Sequence, residues 1–221
     1  MNRADWLKEK RRETEKRYDT LWAADYSEKW GNYANATHQL FMQKFLNLLS
    51  QHSTILDAAC GAGRYWPVIL ERGHTVFGID QSQGMLNSAH KKFPDVPIKK
   101  IGLQEMDFHE TFDAATCMDA MEHIFPEDWL AILNNFHRAI KPNGYFYFTV
   151  EIPAMNEVEA AFSAGQQLGL PIVHGEIPEE DDVYHYYPSQ QQVRDWLNEA
   201  GFHLIEETFG DLYQHFLVQK K

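Results

Sequence analysis

Only two cysteines, Cys60 and Cys117, occur among 221 residues. Two thiols build no disulfide framework, and their scarcity fits a reducing, cytoplasmic setting. No apolar run approaches the roughly 20 residues that a membrane-spanning helix needs. Met1 to Arg17 are polar and charged, so a secretory leader is not expected. Cations are also scarce. Lys and Arg number 20 against 32 Asp and Glu, a net charge of −12, which argues against holding a nucleic-acid duplex through its phosphates. Two phosphate-binding signatures are missing as well. No Gly-rich loop ends in Lys-Ser or Lys-Thr, and where a dinucleotide loop places its third glycine this chain has Trp66.

What is present suits one packed domain with length left for an extension. Hydrophobic residues make up 44% and charged residues 24%, so a core is accessible and global disorder is excluded. Residues 3–18 read as a polar, exposed helix. Trp22, Tyr26, Trp30 and Tyr33 have helical spacing, interrupted at Gly31-Asn32, and Ala36 to Leu49 form an amphipathic helix with Leu40, Phe41, Phe45 and Leu49 inward. Strand and helix then alternate. Strands are expected at 54–58, 75–80, 98–101, 112–118 and 145–150. Helices are expected at 65–72, from Ser82 to about Phe93, and from Pro126 to about Ile140, the last stopping at Lys141-Pro142-Asn143-Gly144. Residues 151–188 read as irregular. A helix from Ser189 to Ala200 follows, with Ser189 and Gln192 as a capping box. Two antiparallel strands, 202–207 and 215–219, close the chain around a Gly210-Asp211 turn. This alternation implies a doubly wound, Rossmann-like α/β sheet of about seven strands, the last antiparallel. Residues 1–50 form an N-terminal helical cap. Residues 51–221 form the main domain, with a lid insertion at about 151–188.

In such sheets ligands bind beyond the carboxyl ends of the strands. Asp57-Ala58-Ala59-Cys60-Gly61-Ala62-Gly63 ends the first strand, and its glycines let backbone approach a ligand. Asp80 ends the second strand, where a carboxylate can accept both hydroxyls of a ribose. A nucleoside ligand without a pyrophosphate follows.

The stretch Ile55-Leu56-Asp57-Ala58-Ala59-Cys60-Gly61-Ala62-Gly63-Arg64 resembles the first motif of the class I S-adenosylmethionine-dependent methyltransferases. Val76 to Leu86, Phe112 to Met118, Ile140 to Tyr145 and Ala200-Gly201-Phe202 resemble later motifs in the same order. The resemblance implies a soluble methyltransferase that moves the methyl group of S-adenosylmethionine to a small-molecule acceptor by direct displacement, leaving S-adenosylhomocysteine. It also implies that Asp57, Gly61, Gly63, Arg64, Asp80, Gln81, Met85, Gln104, Met118 and Asp119 hold the cofactor. Asp80 would take the ribose, Gln81 and Met85 would lie beside the adenine, Gln104 would meet its amino group, and Arg64 its carboxylate.

Asp119-Ala120-Met121-Glu122-His123 follows the fourth strand. In ubiquinone-pathway O-methyltransferases a similar stretch binds a divalent metal, so Asp119, Glu122 and His123 are candidate ligands for Mg or Mn. His123 is also readable as a general base without metal, or as a structural histidine. The segment 151–190 has no Lys or Arg and carries eight acids, Glu176 among them. It reads either as a solvated loop or as a field favouring a cationic substrate. Tyr184, Tyr186, Tyr187, His174 and His185 read either as packing or as an acceptor pocket. Two rival functions stay open: a non-catalytic cofactor-binding subunit and a nicotinamide-dependent oxidoreductase, the latter opposed by Trp66 and Asp57. A monomer or homodimer is expected.

Overall fold

The computed structural model describes residues 1–22, 35–180 and 183–221. Seven strands form one sheet: β1 (Thr54–Ala58), β2 (Thr75–Asp80), β3 (Ile98–Lys100), β4 (Phe112–Cys117), β5 (Ile140–Glu151), β8 (Phe202–Gly210) and β9 (Tyr213–Lys220). Their order is β3-β2-β1-β4-β5-β9-β8. β1 to β5 pair in parallel, and β9 runs antiparallel to both β5 and β8. This is the expected doubly wound sheet with its last strand reversed.

Helices cover both faces. α1 spans Arg3–Arg17, α2 Ala36–Leu48, α3 Trp66–Glu71, α4 Gln83–Lys92, α5 Trp129–Ala139 and α7 Gln190–Glu199. In β5 the side chains alternate. Phe146 and Phe148 enter one core layer with Trp129, Phe136 and Val193, while Tyr147 enters the other with Phe41, Phe45 and Trp66. Each is buried, so the sheet is a filled double-sided core. The Ser189–Gln192 capping box at the start of α7 is present.

Several expectations need correction. α1 is polar but not fully exposed, because Trp6, Leu7 and Thr14 are buried against the rest of the molecule. In α2 the inward residues are Phe41, Met42, Phe45 and Leu46, while Leu40 faces outward at 49% exposure. The helix is capped by Asn35, whose side chain accepts the amides of Thr37 and His38 at 3.0 and 3.1 Å. β5 begins at Ile140, before Lys141-Pro142-Asn143-Gly144. Ile140 pairs with Phe112, and the register shifts before Tyr145 meets Ala114, so those four residues form an irregularity inside a strand. The closing turn is Asp211-Leu212, both at positive φ.

Against the sequence expectation, the described residues of 151–188 are not wholly irregular. They hold α6 (Met155–Gln167) and a hairpin of β6 (Glu176–Glu180) with β7 (Val183–Tyr186). Val158 and Phe162, one turn apart, give α6 its inward face. Every residue of β7 is buried. The dense acids and the Pro and Gly residues masked both periodicities. The aromatic series Tyr26, Trp30 and Tyr33 lies outside the described residues, as does the side chain of Trp22.

Candidate active site

The chain turns sharply after β1, with Ala59, Gly61 and Gly63 all at positive φ. The Gly61 amide donates to Asp80 Oδ2 at 2.9 Å, and the Ser82 amide donates to Asp80 Oδ1 at 2.8 Å. The strand-end carboxylate thus ties the glycine loop to the start of α4. Burial pushes the Asp80 carboxyl up to about 6, against the pull of those amides. Asp57, fully buried behind the loop, accepts from Trp66 Nε1 and from Thr116 Oγ1, each at 2.7 Å. Burial pushes its carboxyl to about 6 as well.

Trp66 explains the missing third glycine. Its indole fills the space under the loop. A Cβ on Gly63 would lie 2.7 Å from that ring, and one on Gly78 would lie 2.6 Å from it. Gly63 is needed for this packing, and its amide already donates to the Cys60 carbonyl at 3.0 Å.

Asp119 follows β4 at φ +53. Its Oδ1 accepts from His38 Nε2 at 2.8 Å and from Thr149 Oγ1 at 3.1 Å. Its Oδ2 accepts from Arg64 at 2.7 Å and from the Tyr65 hydroxyl at 3.2 Å. Burial alone would raise this carboxyl. The His38 and Arg64 contacts override it and hold the group below the usual carboxylate range. Glu122 is buried beside Glu151, and burial first, then the neighbouring acids, push its carboxyl well up. His123 closes a short 3-10 turn, Met121–His123. Its Nδ1 lies 3.1 Å from the Tyr184 carbonyl, and its Nε2 lies 2.8 Å from the Tyr18 hydroxyl.

These residues border one cleft at the carboxyl ends of β1, β2 and β4, enclosing about 1080 Å³ out to its open mouth. Of the residues expected from sequence, Asp57, Gly61, Arg64, Asp80, Gln81, Met85, Gln104, Met118, Asp119 and His123 line it. Gly63 and Glu122 are not among the lining residues. Gln104 donates to Asp128 Oδ2 at 3.4 Å through its Nε2.

The metal expectation finds no support. Among the described residues no three His, Cys, Asp or Glu side chains are grouped to hold an ion. Asp119 has both oxygens engaged by Arg64, Tyr65, Thr149 and His38. Glu122 does not line the cleft. His123 Nε2 already faces Tyr18. The donor set does not fit a divalent cation.

The expected role of the insertion also changes. No described residue of 151–188 lines the cleft. Glu176 is neither solvated nor aimed at a substrate: it is fully buried and pairs with Arg3 at 2.7 Å. Tyr184 donates its hydroxyl to the same carboxylate and packs edge-on against Trp6 and Phe125. His174 pairs with Glu159 on the surface.

The sequence suggested an N-terminal cap but not which residues of α1 and its end face the cleft. Arg11, Thr14 and Tyr18 line it. Arg11 bonds Asp128 at 2.6 Å, and Asp19 receives the Ser82 hydroxyl at 2.7 Å, at the head of α4. The signal was present: Leu7, Arg11, Thr14 and Tyr18 are spaced by four, three and four, one stripe of a helix. Two polar members hid it. His38 and Tyr65, both touching Asp119, were missed too, because their sequence distance from it carries no periodic clue.

The strand order, the reversed last strand and a glycine loop bonded to a strand-end acid together define the class I methyltransferase fold. Residues 55–144 match the family model of a methyltransferase domain. The chain is 27% identical over 173 residues to a ubiquinone biosynthesis O-methyltransferase of Hydrogenovibrio crunogenus, covering 75% of this chain and 68% of that one. The magnesium protoporphyrin IX methyltransferase of Synechocystis, solved with bound S-adenosylhomocysteine, superposes with a TM-score of 0.68 at 15% identity, covering 94% of this chain and 97% of that one. The 1,6-didemethyltoxoflavin-N1-methyltransferase of Burkholderia thailandensis gives a TM-score of 0.65 at 18% identity, covering 90% of this chain and 84% of that one. The chain has the fold of the class I S-adenosylmethionine-dependent methyltransferases, and its methyltransferase domain at residues 55–144, with the similarity to O-methyltransferases, supports an S-adenosylmethionine-dependent methyltransferase enzyme. Among the described residues no helix is long and apolar enough to cross a membrane.

Proposed function

We propose that this enzyme methylates a hydroxyl group of a small-molecule acceptor. The observation that carries the reading is the presence of Asp80 and His123 in one cleft: a ribose-type carboxylate on one side, a histidine on the other. The similarity to O-methyltransferases of ubiquinone biosynthesis supports the choice of oxygen.

S-adenosylmethionine supplies the methyl group and a neutral sulfide leaving group. Asp80 accepts the ribose hydroxyls, Gly61 gives the loop its close approach, and Gln81 and Met85 border the adenine. Gln104 meets the base edge, Arg64 the carboxylate, and Met118 with Asp119 the amino group. Asp57 supports the loop through Trp66. The protein's contribution is alignment of acceptor and methyl group, with His123 as the base for the hydroxyl proton. No step is routed through a metal. Residues 1–50 act as the cap over a domain of 51–221, whose 151–188 segment braces the cap. The two free, buried cysteines suit a cytoplasmic enzyme, acting as monomer or homodimer.

Incubation with methyl-labelled S-adenosylmethionine and a panel of phenols, catechols, amines and carboxylic acids tests this. Label on hydroxyl compounds is expected. Label confined to amines would overturn the reading.

A further inference from the structure

His123 is not directly open to an acceptor. The Tyr184 carbonyl facing Nδ1 can only accept, so Nδ1 carries the ring proton and Nε2 holds the lone pair. The Tyr18 hydroxyl, 2.8 Å from Nε2, must therefore be the donor in that bond. A phenol oxygen that donates its proton can also accept, and Tyr18 lines the cleft together with His123. Any hydroxyl reaching for Nε2 would have to displace Tyr18. A hydroxyl meeting Tyr18 finds a bond already polarised in the right direction.

We propose that Tyr18 is the residue that touches the acceptor hydroxyl and relays its proton to His123. The proposal rests on the hydroxyl-acceptor reading above. As the acceptor oxygen bonds to the methyl carbon and the carbon–sulfur bond breaks, the hydroxyl proton passes to Tyr18 Oη. The phenolic proton passes to His123 Nε2. The resulting imidazolium later returns its proton to water through the same phenol, so both residues end unchanged.

The surroundings suit brief rather than lasting protonation. His185 of β7 lies against His123, ring centroids 4.6 Å apart, and is itself held neutral by burial and by His123. Tyr184 offers only its carbonyl, and burial depresses the basicity of His123. Tyr18 is delivered by the end of α1, so the base becomes usable only when that helix is docked.

The test uses the full-length enzyme, its Tyr18→Phe and His123→Gln variants and the double variant. Turnover of 3,4-dihydroxybenzoate is followed with methyl-labelled S-adenosylmethionine. Both single variants should lose about 100-fold in kcat. The KM for S-adenosylmethionine and the Kd for S-adenosylhomocysteine should stay within about twofold, and the acid limb of the pH profile should vanish. The double variant should be no worse than the poorer single one, because one relay is broken once. Independently of any acceptor, nitrogen NMR of the S-adenosylhomocysteine complex should show the His123 Nε2 signal shifting on Tyr18→Phe.

Tyr18→Phe turnover within about twofold of wild type, losses that multiply, or an unmoved Nε2 signal would overturn the relay. Wild-type enzyme that labels amines but no hydroxyl compound would sink the hydroxyl reading, and the relay with it. Robust wild-type labelling with an indifferent Tyr18→Phe sinks the relay alone.

Discussion

Arg3 and Glu176 meet at 2.7 Å, joining the first helix to the β6–β7 hairpin across most of the chain. Glu176 is fully buried, and Tyr184 and the Val173 amide also donate to it. Arg3 additionally bonds Glu127 and the Pro171 carbonyl. Arg3→Met would leave a buried carboxylate without its cation, costing about 2–4 kcal/mol. Glu176→Gln keeps the shape and should cost about 1–2 kcal/mol. Urea unfolding measures both. Amide exchange in α1 should accelerate in each, and an unchanged α1 would mean that the pair does not hold the helix.

Asp80 supplies a pH dependence whose sign is fixed by the structure. Its carboxyl sits near 6 in the folded protein, above the ordinary 3.8. Accepting ribose hydroxyls favours the ionised form, so S-adenosylhomocysteine affinity should fall below about pH 6, by up to about tenfold per unit. Asp80→Asn should weaken binding about 10–100-fold and flatten that slope. Calorimetry between about pH 5 and 7.5 decides, and a flat wild-type affinity would reject the assignment. For the empty enzyme the sign reverses. Asp57 and Asp80 both favour protonation when folded, so their stability contribution is full below 3.8 and is lost as pH rises through about 6.

Gly63→Ala should be costly twice. Residue 63 has φ +74, worth about 1–2 kcal/mol against an L side chain, and the new methyl would press on Trp66, adding about 1–3 kcal/mol. Gly73→Ala is the control, with φ +79 but nothing within 4 Å, so only the backbone part is expected. Equal losses in urea unfolding would dismiss the Trp66 contact.

Chelation should leave turnover within about twofold, whereas removal of a working Lewis acid costs several kcal/mol. Asp119 is paired with Arg64 and His38. A collapse of turnover with EDTA, reversed by Mg²⁺ or Mn²⁺, would refute this.

Much of the fold was legible in the chain because it depends on local chemistry. The strands carrying Asp57 and Asp80 announce themselves by apolar runs bounded by glycine and acid, and the α7 capping box is a four-residue pattern. The lid segment was not legible. β7 reads Val183-Tyr184-His185-Tyr186 without alternation, because both of its faces are buried. α1 was misread because its inward stripe includes Arg11 and Thr14, whose partners lie far along the chain.

By itself the sequence determined the doubly wound sheet, the glycine loop, the acid that faces it and hence the cofactor class, since each is set by residues near one another in the chain. Only the tertiary structure decided what Asp119, Glu176 and His123 do. A side chain's charge state and direction depend on the groups that surround it. Here Arg64 and His38 surround Asp119, Arg3 meets Glu176, and Tyr18 with Tyr184 holds His123. Those contacts made the acidic segment a brace for the first helix and set the Tyr18 hydroxyl against His123.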